Sequence, residues 1–173
     1  MQNRQSFLGW WEHFRQMNGI TMRIVASIPN DKFDARPIPN MRTPKELLVH
    51  LYGVIVRDIP AGLAKGEIPG FDEKSAVASL KSKDDVIRFC TQCWTAGDAS
   101  AKTVTDANLQ AMVKTPWGMD MTGVAAAGTI NDEYLHHRGQ LYAYARALGL
   151  EPPMLWDFEH NDAAFAPQAA TKA

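Results

Sequence analysis

Glu133 and His137 stand four residues apart in a stretch with helical spacing, and His50 stands among Leu47, Leu51 and Val54 in another. Residues four apart on a helix project side by side, so this carboxylate and imidazole can converge on one point. Taking about 100° per residue, Ile130, Tyr134, Leu141, Ala145 and Leu148 share an apolar stripe, with His137 inside it and Glu133 at its edge. Asp132 and His136 repeat the spacing but point mostly away from the stripe, which leaves His136 at the rim. On the earlier segment, Leu47, Leu51 and Val54 set the apolar face and His50 flanks it. Burying an ionisable group without a partner is expensive, so two imidazoles and a carboxylate aimed inward need a common explanation. One is a divalent transition metal with a coordination position left open, the feature that separates a catalytic metal from a structural one. The other is that the histidines are satisfied core residues and Glu133 simply pairs with His137.

These side chains meet only if long helices pack side by side. Proline and glycine cluster in the chain, and the gaps between clusters suit helices rather than strands. The first runs from about Phe7 and ends before Pro29. Thr43-Pro44-Lys45-Glu46 is a capping box with proline at the first helical position, opening a second helix expected to stop before Pro60. Ser82-Lys83-Asp84-Asp85 opens a third, reaching about Thr105, and a fourth spans about Thr122 to Leu148, closed by Gly149 and the prolines after it. A short helix is expected around Lys74 to Leu80, and Met112 to Gly118 has the only extended character. The expected fold is all-α, a four-helix bundle with a short extended excursion before the last helix. It occupies residues 1–153; residues 154–173 form a C-terminal tail expected to be partly disordered, without periodicity and frayed from His160 on.

Composition bounds the function. The 173 residues suit one domain that can bury roughly 70% of its unfolded surface, so folding needs no disulfide or metal. With 18 basic against 19 acidic residues, the chain is not built to hold nucleic acid or an anionic membrane by bulk charge. No apolar run long enough to span a bilayer is evident, and Met1-Gln2-Asn3-Arg4-Gln5 does not open a secretory signal, so a cytoplasmic location is expected. Cys90 and Cys93 fall about two turns into the third helix on its inward face. A redox pair normally has its first thiolate activated at a helix N-terminus, so these are read as core residues. Trp117 is placed to lean over a pocket mouth. His13 and His160 have no ligand spacing.

The string His136-His137-Arg138-Gly139-Gln140, followed by Leu148-Gly149-Leu150-Glu151-Pro152-Pro153, resembles the signature of the DinB/YfiT-like superfamily. Upstream, Arg36-Pro37 and the run from Met41 through His50 to Leu51 resemble that family's entry into its second helix and its metal-binding histidine. The resemblance covers about Phe7 to Pro153. It implies a divalent metal held by three histidines, one on helix two and two spaced by four on the last helix. His50 and His137 match; Glu133 stands where the family usually places a histidine. An anionic oxygen there favours a harder ion. The remaining set suits zinc or nickel first, and manganese or iron as well.

Gln140, three residues after His137, lies on the metal side and can hold a ligand or bound water in place; His136 is a motif residue at the rim. Arg138 sits on the other flank as an ion-pair or dimer-contact residue, and Gly139 is explained by close approach of another helix. Relatives in the resembling superfamily include transferases and isomerases that use low-molecular-weight thiols. The resemblance therefore implies a metal-dependent enzyme of thiol S-transferase type acting on a small molecule, and a homodimer. The alternative is a stress-associated bundle that binds a ligand or protein partner without turnover.

Overall fold

A computed structural model describes residues 2–167. Four long helices pack around one core. The first, α1 (Arg4–Ser27), starts at a reciprocal cap in which Asn3 accepts from the Ser6 backbone and Ser6 returns a bond. The second, α2, spans Pro44–Lys65 and begins at the expected Thr43/Glu46 capping box. After a short α3 (Glu73–Ser79), α4 (Lys83–Thr103) begins at the Ser82/Asp85 box. A one-turn α5 (Asp106–Gln110) leads to β1 (Met112–Val113) and β2 (Met121–Thr122), an antiparallel pair with Met112 opposite Thr122. The last helix, α6 (Gly123–Ala147), is followed by Gly149 in the left-handed region, as its sequence demands.

Helix α2 does not stop at Pro60. Its middle, His50–Asp58, is a π-helix, and α geometry resumes over Ile59–Lys65. A proline inside an α-helix collides with the carbonyl four residues back and removes a hydrogen bond. The wider π turn places bonds five residues apart, as from the Ile59 N–H to the Val54 carbonyl, and gives the ring room to continue. The helix is also long and apolar enough to cross a membrane, contrary to the expectation from sequence, but most of that apolar stretch is buried inside the bundle.

A buried polar network fixes how α1, α2 and α6 are rotated against one another. The Tyr134 hydroxyl donates to Thr21 Oγ1 at 2.7 Å, and the Tyr52 hydroxyl donates to Asn18 Oδ1 at 2.7 Å. All four side chains are fully buried. Because buried hydroxyls and amides are costly when unpaired, this network penalises any slip in helix phase. Tyr134 adjoins Glu133 and Tyr52 lies two residues after His50, so the same bonds set the aim of both. Around them Trp11 stacks on Trp94 with ring centres 5.6 Å apart, and Phe14 meets Tyr134 edge-on at 4.5 Å.

Three expectations need correction. The segment after Pro153 is tied down as far as it is described: Asn161 is buried and donates to the Gln16 carbonyl, while Arg15 donates to the carbonyls of Ala164 and Ala166. The rest of the expected tail, residues 168–173, lies outside the described residues. Gly139 meets no other helix of this chain, since a Cβ there would have nothing within 4 Å. The close approach belongs to Gly97, whose Cβ would fall 1.9 Å from the Val56 carbonyl oxygen. Arg138 makes no ion pair among the described residues; it is buried, donates to the Leu155 carbonyl and lies over the Tyr142 ring. Cys90 and Cys93 are core residues as expected, both free and buried, and burial raises both thiols, Cys93 to about 11.

Candidate metal centre

The inward phases of α2 and α6 bring His50, Glu133 and His137 together: one ligand atom from each lies within 4.8 Å of the others. The two imidazole rings meet edge to face, with centres 4.9 Å apart. His137 is buried and Glu133 half-buried, so the cluster sits at the margin of the core rather than at its centre.

The tautomers are set from outside. His50 Nδ1 lies 2.9 Å from Glu73 Oε1, and a carboxylate can only accept, so Nδ1 carries a proton and Nε2 is the ring nitrogen left to ligate. His137 Nδ1 donates in the same way to Gln140 Oε1 at 2.9 Å, and the Gln140 amide in turn donates to His136 Nε2 at 3.1 Å. Gln140 thus holds the ring of His137 as expected, and His136 supports Gln140 from the rim. Burial and the neighbouring His50 lower the pKa of His137, against a smaller upward pull from Gln140 and Glu133; it is the neutral form that ligates.

The His137 Nε2 atom carries the fit to a metal. It is buried and has no hydrogen-bond partner among the described residues, although Glu133 Oε2 is only 3.3 Å away. Two donors each about 2.0–2.1 Å from a tetrahedral zinc are themselves about 3.3–3.4 Å apart. A pair spaced like ligands but misaligned for a hydrogen bond is what an ion between them would use.

Glu73 is the residue that sequence reasoning missed. It stands in the first turn of α3, where an acidic residue is ordinarily explained by the helix dipole, and nothing local connects it with a histidine 23 positions earlier. His160 pairs with Asp157, and His13 meets the edge of Phe158, both outside the cluster.

Two cavities meet at the cluster, and His50 and Glu133 line both. One, of about 580 Å³, runs under the β1–β2 excursion and includes Trp117, the residue expected at a pocket mouth. The other, of about 410 Å³, is polar and bounded by Arg42, His136, Gln140 and Tyr144.

Fold and site together define a four-helix bundle carrying an inward His/Glu/His group between its second and last long helices. The chain belongs to the DinB family, whose family model matches residues 1–168. Among solved structures it is similar to a DinB-like protein from Bacillus subtilis, at 19% identity and TM-score 0.66 over 83% of this chain and 94% of that one. It is similar also to a DinB-like protein from Bacillus cereus, at 17% identity and TM-score 0.69 over 88% and 97% of the two chains. Comparison with curated proteins gives no match.

Proposed function

We propose that the protein holds a divalent transition metal on His50, Glu133 and His137, and uses it to activate a low-molecular-weight thiol or water against an electrophilic small molecule. The observation that carries this reading is the orphaned Nε2 of buried His137, set at ligand spacing from Glu133. Such an ion would lower the pKa of a bound thiol or water and supply a nucleophile near neutral pH. The chain's own part is to aim the donors. Glu73 and Gln140 fix both histidine tautomers, and the Tyr52 and Tyr134 hydroxyls hold the helices in phase. The anionic Glu133 widens the range beyond zinc and nickel towards manganese and iron. A reducing compartment such as the cytoplasm suits two free cysteines.

Metal analysis of freshly purified protein tests the site. Near-stoichiometric metal, lost in His50→Ala combined with His137→Ala, is the expected result; its absence, or retention in the double variant, overturns the assignment. Thiol consumption with a panel of halogenated and epoxide electrophiles then tests the transfer chemistry. No acceleration by metal-loaded protein would leave a non-catalytic ligand-binding bundle.

A further inference from the structure

The larger cavity is more apolar than metal binding requires. Val54, Ile55 and Ile59 of α2 form one wall, Phe71 another, and Trp117 and Met121 of the excursion a third. The π geometry of α2 allows residues four, five and nine positions after His50 to share this wall. The opposite wall is braced. Lys114 exchanges backbone bonds with Gly66 and Ile68 at 2.9 Å each, and Thr115 Oγ1 closes the turn by donating to the Met119 carbonyl. At the mouth Trp117 is 46% and Met119 64% exposed, large apolar side chains left facing water.

Charge narrows the occupant. The ionisable residues lining the cavity are His50, Glu73 and Glu133, with no lysine or arginine among the described residues there. Glu73 is engaged with His50 and Glu133 faces His137, so each carboxylate is already matched to an imidazole. In the metal-free protein an anion entering would meet two carboxylates, and the guanidinium lying over Phe71, that of Arg57, is already bonded to Asp58. The volume falls within the roughly 300–1,000 Å³ usual for small-molecule sites and leaves space for a single aromatic ring with substituents.

We infer that this cavity binds an uncharged, aromatic-sized molecule, presented to the His50/Glu133 end of the site. The assignment rests on the proposed metal reading only for what happens to that molecule, since its binding depends on the cavity walls.

The test is ¹H–¹⁵N NMR titration of chelator-treated protein with benzyl alcohol and, separately, with benzoate, which share a ring and differ in charge. Benzyl alcohol is expected to shift the Trp117 indole and Met121 amide signals saturably, with benzoate at least about tenfold weaker because of like-charge repulsion. Trp117→Ala, on an exposed turn, is expected to weaken benzyl alcohol at least threefold while leaving the thermal midpoint unchanged. Equal affinity for the two probes, or shifts confined to Trp156 on another face, would overturn the inference. Since the titration is metal-free, a negative result leaves the metal analysis standing, and a failed metal analysis leaves this binding standing.

Discussion

Removing the Glu73 carboxylate isolates the contribution of a residue that touches no proposed ion. In Glu73→Ala, His50 Nδ1 loses its acceptor at 2.9 Å, and the ring is free to turn or exchange tautomer. Outer partners of this kind are worth about 10–100-fold in metal affinity, or roughly 1.4–2.8 kcal/mol at 1.4 kcal/mol per decade. Side-chain exposure of 35% for Glu73 and 18% for His50 lets water replace part of the lost bond, which places the effect near the low end, at about tenfold. Glu73→Gln keeps an oxygen that can accept from Nδ1 and loses only the charge, so about threefold is expected. His50→Ala removes a ligand and should cost more than about a hundredfold. Zinc competition against a chromophoric chelator near neutral pH reads all three. Zinc binding in Glu73→Ala within twofold of the parent, with His50→Ala crippled, would refute the tautomer argument. A Glu73→Gln variant weaker than Glu73→Ala would refute it too.

Glu133→His restores the three-histidine set implied by the family resemblance; competition titrations should show the zinc-to-manganese affinity ratio rising at least about tenfold. Gly97→Ala drives a methyl into the Val56 carbonyl. Overpacking of about 3 kcal/mol against a helix gain of about 1 kcal/mol leaves a net loss of about 2 kcal/mol, or roughly 4–8 °C in Tm by calorimetry. Hydrogen bonds from Arg23 and His160 lower the Asp157 carboxyl to about 2 from an ordinary 3.8. A depressed carboxylate stabilises fully above its unfolded value and loses that support as pH falls through its folded one. Limited proteolysis should therefore show residues 154–167 loosening between pH 3.8 and 2, and Asp157→Asn should remove that pH step. A second copy of the chain, if the implied homodimer forms, is expected on the exposed Leu135, Met154, Leu155 and Trp156 beside the open face of Gly139. Sedimentation velocity should show dimers that Leu135→Glu converts to monomers.

What could be read in advance was local or periodic. The boxes at Thr43/Glu46 and Ser82/Asp85 declare themselves within four residues, and both helices start there. Phase alone separated Glu133 and His137 from Asp132 and His136, because a stripe with Tyr134 and Leu141 on it leaves little rotational freedom. The misreadings share a physical cause: they depend on partners that leave no mark in neighbouring residues. Glu73 reaches His50 across a loop. The segment past Pro153 is held partly through the main-chain carbonyls of Ala164 and Ala166, groups that every residue possesses. Pro60 was expected to end α2 because its steric rule assumes α geometry, and the π stretch before it changes the premise.

That stretch also joins two flanks within one rod. Bonds five apart over His50–Asp58 accommodate more chain per turn than an α-helix does, much as slack is taken up in a coil. Deleting a single residue between them would let the rod tighten towards α form. The narrower turn would offset the roughly 100° that one residue contributes, so the two ends of the rod would keep much of their relative phase. The buried Leu47, Leu48 and Val49 on one flank and Ile59 and Leu63 on the other would then stay turned to the core. The wide segment therefore works as a splice: it takes in extra chain between His50 and Asp58 while both flanks keep their faces to the bundle.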